Sequence, residues 1–195
     1  MKPLLPRTER LPDGTGVRLR LARPEDREEF VLGLEHFGDE SRYQRFFTAM
    51  PHLPGYLLEQ LVDVDESDRI AIVAELIEEE PGLPAGVAVA RLMRDDRLPT
   101  RADLAFAVID ELQGHGIGHL LFRAAVDLAA ELGIDTLTAD VLPENRSMHH
   151  LIQAAAAETP SQLSEARIAG VDHFEIRIGV AHPGGQRGAL SPTPR

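Results

Sequence analysis

The amphipathic helix that the sequence predicts from Ile117 to Leu132 constrains the fold more than any other part of the chain. Apolar residues recur there at helical spacing, and polar side chains occupy the opposite face. An apolar run at 102–109 predicts a strand directly before this helix, and Gly133 ends the helix as a left-handed cap. A short apolar strand at 137–141 follows. The chain therefore contains a strand–helix–strand unit.

The remaining elements predict a mixed, mostly antiparallel sheet of the α/β (α+β) class. Alternating or apolar runs predict five more strands, at residues 17–21, 70–77, 86–93, 165–168 and 171–180. Helices are expected from Pro24, over 41–47, over 54–62 and after an Asn145 cap. Together with the strand–helix–strand unit, these runs predict a sheet of about seven strands with helices on its flanks.

Glycine and proline cluster at both ends of the chain, and no linker divides the middle. The turn-rich residues 1–15 predict an N-terminal extension. Residues 181–195 have almost nothing apolar to bury and predict a disordered C-terminal tail. A single domain is therefore expected over residues 16–180, which is within the usual size range of one domain.

Composition excludes several classes of protein. The 195 residues include 20 basic and 32 acidic side chains, and the net charge of −12 argues against nucleic-acid binding and favours a cationic partner. The sequence has no cysteine, so it has no disulfide, thiolate metal site or cysteine nucleophile. No apolar run approaches the roughly 20 residues that span a bilayer, and the N-terminus does not resemble a secretory signal. We expect a cytoplasmic protein with no membrane partner; the sequence leaves its oligomeric state open, a homodimer included.

Three glycines alternate where the predicted strand passes into the long helix, in the segment Leu112-Gln113-Gly114-His115-Gly116-Ile117-Gly118-His119. Glycines allow a ligand to approach the backbone closely, and the first N–H groups of a helix lack intrahelical partners. Together with the helix dipole they predict a site for a phosphate or pyrophosphate. The segment lacks the Lys-Ser/Thr of a P-loop and the glycine order of a Rossmann loop. His115 and His119 have a spacing that suits zinc, but no third ligand is apparent, so no metal is expected.

What remains is the pattern Gln-x-x-Gly-x-Gly at Gln113, Gly116 and Gly118, which resembles the acyl-CoA loop of the GNAT superfamily of N-acetyltransferases. The order of elements over about residues 16–180 is similar to that fold. Asn145 matches the Asn that opens the next helix of the family. The resemblance implies the GNAT fold, in which the central pair of parallel strands is splayed.

Two further segments narrow the resemblance. Residues 41–47 and 68–74 resemble the catalytic domain of bacterial Pat-type protein lysine acetyltransferases. This implies a transferase with acetyl-CoA as co-substrate, bound across the splayed strands so that backbone groups pair with the pantetheine arm. The resemblance implies coenzyme contacts at Ala107, Val108, Gln113, Gly114, His115, Gly116, Ile117, Gly118, His119, Asn145 and Met148.

The resemblance also implies a general base, because an amine must lose a proton before it attacks the thioester. In Pat-type enzymes a glutamate in the strand before the loop has this role, and the matching position here is Asp103. Asp is one methylene shorter than Glu, so it acts directly or through a water. Many members carry a tyrosine seven residues after the Asn, but here that position is Ile152. His149 or His150 is the remaining candidate acid, unless the thiolate leaves unaided.

The predicted second helix carries an aromatic cluster with two interpretations. Tyr43, Phe46 and Phe47 pack in the core, or they wall the channel for the acceptor, with Arg42 and Arg45 outside. Their close spacing on a helix fits both interpretations.

The sequence therefore predicts an acetyl-CoA-dependent N-acetyltransferase that moves the acetyl group directly to a primary amine, with a protein lysine slightly favoured. A small amine, such as a polyamine or an aminoglycoside, is one alternative acceptor. A non-catalytic module that binds acyl-CoA for regulation is the alternative from another class. The acidic net charge fits a cationic acceptor in the first two cases.

Overall fold

The computed structural model describes residues 4–48, 54–65 and 67–179, so the expected tail at 181–195 lies outside the described residues. Within them, eight strands follow in chain order: β1 (Arg7–Arg10), β2 (Gly16–Leu21), β3 (Arg69–Leu76), β4 (Gly86–Arg94), β5 (Arg101–Val108), β6 (Thr136–Val141), β7 (Ser161–Ile168) and β8 (Val171–Ile178). The α-helices are α1 (Arg27–Glu35), α2 (Asp39–Phe46), α3 (Gly55–Val62), α4 (Ile117–Glu131) and α5 (Arg146–Glu158). None of these helices is long and apolar enough to cross a membrane.

All of these strands form one sheet in the order β1-β2-β3-β4-β5-β6-β8-β7. Every neighbouring pair is antiparallel except β5 and β6, which are parallel and connected through α4. This confirms the mixed, mostly antiparallel sheet with a central parallel pair. The sheet has eight strands rather than about seven, because Arg7–Arg10 pairs with β2 at the edge. Its four residues are all polar, so no apolar alternation marks them as a strand.

Helices cover both faces of the sheet. On one face α4 packs against β3, β4 and β5, and its Phe122 and Ala125 are fully buried. The ring of Phe122 stacks on Phe106 of β5, with 6.1 Å between the centroids. α1 and α3 lie on the opposite face, where Phe30 packs against Val73. The sheet is therefore the middle layer, and its central strands are covered on both sides.

The parallel strands β5 and β6 separate after a short ladder. They pair at three positions, and the last pair is Asp103 with Thr138. β5 continues to Val108 and β6 to Val141 with no further pairing between them. Outside the gap, β4 pairs with β5 and β8 pairs with β6 along these same stretches. The sheet therefore opens into a gap whose closed end is formed by Asp103 and Thr138, which confirms the splayed pair that the sequence analysis implies.

An ion pair anchors the start of the first helix. The chain enters α1 through a 3₁₀ turn at Pro24–Asp26, where the sequence predicts the helix itself to begin. Arg20 of β2 donates to the two carboxylate oxygens of Asp26 at 2.6 and 2.9 Å, and to Glu75 of β3 at 2.7 Å. Burial acts to raise the pKa of Asp26. The hydrogen bonds from Arg20 and from the N–H of Arg23 outweigh burial and hold the pKa of Asp26 below its usual range.

We expect Asp26→Asn to lower the free energy of unfolding by about 1 kcal/mol at neutral pH. Because the pKa of Asp26 is depressed in the folded state, its contribution is present above about pH 4 and is lost as the pH falls through the folded-state value. Denaturant titrations at neutral and acid pH measure this difference. Glu25→Gln, in the same turn but exposed, is the matched control. A deficit of Asp26→Asn that persists unchanged into strong acid contradicts the assignment.

Candidate active site

A cleft of about 660 Å³ occupies the gap between β5 and β6. Its walls come from both strands, from the glycine segment 113–119, from α5 and from α2. The wall includes eleven of the residues that the sequence analysis assigns to the site: Asp103, Ala107, Val108, Gln113, Gly114, Gly116, Ile117, Gly118, His119, Asn145 and Met148. The fold therefore brings together residues from three separate parts of the sequence.

The glycine segment carries a row of backbone N–H groups that the protein itself does not use. Gly114 and Gly116 adopt left-handed φ angles of 79° and 96°, which residues with a side chain rarely tolerate. The first intrahelical bond of α4 runs from the N–H of Leu120 to the carbonyl of Gly116 at 3.3 Å. Among the described residues, the N–H groups from Gly114 to His119 find no acceptor. They lie at the positive end of a helix of 15 residues, so this end of the cleft favours an anion.

The three glycines serve different purposes, which corrects the interpretation that all of them make room for a ligand. A Cβ on Gly118 would lie 2.9 Å from Cδ2 of Leu151, so this glycine allows α4 to approach α5. A Cβ on Gly116 would lie 3.4 Å from Cδ of Pro12, in the turn between β1 and β2. A Cβ on Gly114 would meet nothing within 4 Å. Open space for a ligand therefore lies beside Gly114.

Gln113 braces the loop. Its Nε2 amide lies within hydrogen-bonding distance of Ser41 Oγ at 3.2 Å, the Val108 carbonyl at 3.2 Å and Asp110 Oδ1 at 3.0 Å. These contacts connect α2 and the end of β5 to the loop. The side chain of Gln113 is thus occupied by the protein, and it positions the backbone that follows it.

The two histidines of the loop differ in position. His119 is half-buried in the first turn of α4 and lines the cleft. His115 is exposed, and its Nδ1 lies 3.1 Å from the carbonyl oxygen of Gln113. This contact holds the ring of His115 back against its own loop, and the residue is not part of the cleft wall. The resemblance implies a coenzyme contact for both histidines, and only His119 lies in the cleft wall.

The backbone of β5 faces the gap at alternate residues. The N–H of Ile109 donates to the carbonyl of Val87 in β4 at 3.0 Å, and Ala107 pairs with β4 in the same ladder. Since backbone groups alternate in direction along a strand, those of Ala107 point to β4, and those of Phe106 and Val108 point into the gap. This corrects the expected backbone contact at Ala107: Phe106 takes that place beside Val108, and Ala107 offers only its side chain.

Asp103 and Thr138 face each other at the closed end of the gap. The buried hydroxyl of Thr138 donates to Oδ1 of Asp103. The carboxylate of Asp103 is exposed and lines the cleft, which leaves its second oxygen accessible to a substrate. Ala105 and Ala107 share the Asp103 face of β5, and their small side chains leave the approach along the strand open.

α5 forms part of the cleft wall with its N-terminal turns. Oδ1 of Asn145 accepts a hydrogen bond from the N–H of Met148 at 3.0 Å, which confirms the predicted helix cap. His150 lines the cleft, whereas His149 packs its ring against Phe174 in a T-shaped contact with 5.2 Å between the centroids. The helix therefore separates the two candidate acids, and His150 is the one at the cleft.

α2 forms part of the cleft wall, and the sequence alone predicts only some of its residues there. Ser41, Gln44, Arg45 and the following Phe47 all line the cleft. Tyr43 and Phe47 are 40% and 42% exposed, so the core interpretation is wrong for them. Arg45 lies at the cleft rather than outside it. The spacing of four residues from Ser41 to Arg45 is the signal that puts both on one helical face.

A second cluster of charged groups lies away from the cleft, between α5, β7 and β8. His149, Glu165 and Asp172 offer ligand atoms within 4.8 Å of one another. However, Arg167 donates to both oxygens of Asp172 at 2.6 and 2.7 Å, and this hydrogen bonding holds the pKa of Asp172 below its usual range. An internal ion pair therefore explains the cluster.

Comparison with known proteins identifies the class of enzyme. The model of the acetyltransferase (GNAT) family matches residues 34–156, which is more than half of the chain. The chain therefore belongs to the GNAT family of acetyltransferases, whose enzymes take their acyl group from an acyl-CoA.

Individual relatives are Pat-type acetyltransferases and similar enzymes. Acetyltransferase Pat of Mycolicibacterium smegmatis is 33% identical over 144 residues, which is 74% of this chain and 42% of that protein. The chain thus spans less than half the length of that relative. An acetyltransferase of Pseudomonas aeruginosa is 27% identical over 73% of this chain and 75% of its own length. The crystal structure of the GNAT domain of S. lividans PAT matches with a TM-score of 0.78 and 27% identity, covering 89% of this chain and 97% of that domain.

We expect Gly116→Ala to weaken acetyl-CoA binding by about tenfold, because a side chain forces the left-handed turn to relax and moves the loop amides. Calorimetric titration with acetyl-CoA measures the affinity. Gly133→Ala is the matched control, since Gly133 also has a positive φ of 72° but ends the far side of α4 with open space around it. Both variants lose stability, and only Gly116→Ala loses affinity. Equal affinities in the two variants contradict a role for the loop in binding.

Proposed function

We propose that the protein transfers an acetyl group from acetyl-CoA directly to a primary amine, and that this amine belongs to a protein lysine. The observation that carries the proposal is a single cleft with unused loop amides at one end and the Asp103 carboxylate at the other. The amides suit the pyrophosphate of the coenzyme, and the carboxylate suits an amine that must lose a proton.

The gap between the strands supports an extended position for the coenzyme. With the pyrophosphate on the loop amides, the pantetheine arm runs along the gap as an added strand, and the carbonyl of Phe106 and the N–H of Val108 supply its partners. Asn145 and Met148 contact the arm from α5, where the helix cap holds them. The thioester then reaches the closed end of the gap.

Asp103 is the general base in this proposal. A lysine ammonium has an ordinary pKa of about 10.4, so a proton must leave before the nitrogen can attack. The carboxylate of Asp103 accepts that proton, directly or through a water, while the hydroxyl of Thr138 orients it. The neutral nitrogen then attacks the thioester carbon.

The attack forms the C–N bond and moves negative charge onto the thioester oxygen. The N–H of Phe106 faces the gap and is the donor that we assign to this oxygen. Collapse of the intermediate breaks the C–S bond, and CoA leaves as a thiolate, which is a tolerable leaving group because a thiol has a pKa of about 8.5. The nitrogen, which carries a positive charge after the attack, loses its second proton, and this proton goes to the thiolate. Ile152 is fully buried and offers no proton, and of the two candidate histidines, His149 and His150, only His150 lies in the cleft wall to assist this transfer.

Two observations favour a protein lysine as the acceptor. The likeness to Pat-type acetyltransferases covers most of the chain, and the sequence resemblance to that type implies a protein lysine. The second is that the Asp103 side chain is exposed, so a lysine carried on the surface of a folded protein can reach it. The net charge of −12 attracts cationic acceptors of either size.

Replacing the base tests the catalytic part of the proposal. We expect Asp103→Asn to lower kcat/KM by about 100-fold or more, because the amide cannot accept the proton, while acetyl-CoA binds as before. Release of the CoA thiol measures turnover, and calorimetry measures binding. Asp96→Asn, in the exposed loop before β5, is the matched control. Unchanged turnover in Asp103→Asn refutes the assignment of the base.

A panel of acceptors tests the proposed substrate class. With acetyl-CoA in excess, we expect lysine-containing proteins and peptides to be acetylated at a higher kcat/KM than polyamines or aminoglycosides. Thiol release gives the rates, and mass spectrometry locates the acetyl group. Turnover confined to the small amines overturns the protein-lysine acceptor but keeps acetyl transfer. Coenzyme binding without turnover on any acceptor favours the non-catalytic module instead.

A further inference from the structure

Arg45 stands between two cavities. It lines the cleft described above and also a second cavity of about 60 Å³ between the sheet and helices α1 and α3. The two cavities share three wall residues, Phe37, Arg45 and Ala107. Ala107 belongs to β5 beside the gap. Arg45 therefore lies where the second cavity adjoins the cleft, and Phe106, the chain neighbour of Ala107, is the residue to which the proposed function assigns the thioester oxygen.

The second cavity supplies no ion-pair partner to Arg45 among the described residues. Aromatic and aliphatic side chains form most of its wall. Asp26 is paired with Arg20 at 2.6 Å, and Glu29 accepts a hydrogen bond from the N–H of Gly86 at 3.3 Å while keeping its charge. Within the described part of the chain, neither carboxylate forms an ion pair with Arg45.

Arg45 itself has no anionic partner within the described part of the chain. Its guanidinium instead lies over the ring of Phe46, whose centroid is 5.3 Å from the guanidinium carbon. Burial, and to a smaller extent the like charge of Arg91, lowers the pKa of Arg45 to about 10, so the group is still charged at neutral pH. A half-buried cation without a counter-charge is costly. A substrate that brings a negative charge removes that cost.

We infer that Arg45 forms a subsite for a carboxylate carried by one of the two substrates. A guanidinium binds a carboxylate through two parallel hydrogen bonds, and the apolar walls around Arg45 suit the short methylene chain that carries it. The inference rests on the proposed function, since it places the carboxylate beside the acyl group that is transferred or beside the lysine that receives it. It extends that function by naming a chemical group that the substrate pair contains.

Two sources can supply this carboxylate. A dicarboxylic acyl group on CoA, such as succinyl, carries it on the chain that is transferred. Alternatively, an acidic residue beside the acceptor lysine carries it on the protein substrate. Both sources present the same chemistry to Arg45, so the experiment needs one arm for each.

The first arm compares succinyl-CoA with butyryl-CoA, which has the same chain length but no terminal carboxylate. The second arm compares acceptor peptides in which Glu or Gln follows the lysine. Each pair is measured by turnover and by calorimetric binding, with the peptides titrated into CoA-loaded protein. The variants are Arg45→Met, which removes the charge, and Arg45→Lys, which keeps it. Arg123→Gln, on the exposed side of α4, is the control.

In one arm we expect the unmodified protein to favour the carboxylated substrate by about tenfold or more. Arg45→Met brings that ratio close to one, Arg45→Lys retains part of it, and Arg123→Gln keeps all of it. The arm that shows the preference identifies the source of the carboxylate. Equal binding within both pairs overturns the inference, and so does a preference that survives in Arg45→Met.

The proposed function fails on a different result, which is the absence of transfer from any acyl-CoA to any amine. The binding ratios still decide the role of Arg45 in that case, because they do not depend on turnover. An Arg45→Met variant that loses turnover equally on carboxylated and neutral substrates also overturns the inference, since it shows a general role at the reaction centre.

Discussion

The short ladder between β5 and β6 determines where the rest of the site lies. Pairing stops after Asp103 and Thr138, while β4 and β8 continue to hold the two strands from outside. The backbone of Phe106 and the N–H of Val108 therefore face a gap in the middle of a sheet, where unpaired polar groups are costly. An extended ligand that adds a strand satisfies them. We propose that the pantetheine arm of the coenzyme is this ligand, because it binds in extended form where the ladder between β5 and β6 is open.

The protein uses its own hydrogen bonds to hold the frame and leaves unpaired groups where a substrate binds. Nε2 of Gln113 and Oδ1 of Asn145 both have hydrogen-bond partners within the protein. In contrast, the described residues supply no acceptor for the loop amides, no donor for the second oxygen of Asp103 and no anion for the guanidinium of Arg45. The loop amides lie at the end of the cleft that favours an anion, and Asp103 lies at the other end, where a proton can be accepted.

Short sequence patterns made some parts of the site predictable. The glycine segment, the amphipathic α4 and the Asn145 cap are each encoded within a few neighbouring residues. Other features depend on long-range geometry. The register with β4 decides whether the backbone of Phe106 or of Ala107 faces the gap, and the packing of α2 decides where Arg45 lies. The edge strand β1 carries no apolar alternation, so its pairing could not be recognised.

A crystal structure with acetyl-CoA bound decides whether the gap between β5 and β6 holds the coenzyme. We expect the pyrophosphate within hydrogen-bonding distance of the amides between Gly114 and His119, and the pantetheine arm along the gap. We also expect the thioester oxygen at the N–H of Phe106, near the Asp103 carboxylate. A coenzyme that lies outside the gap, or loop amides that bind side chains of the protein instead of the pyrophosphate, would contradict this binding mode.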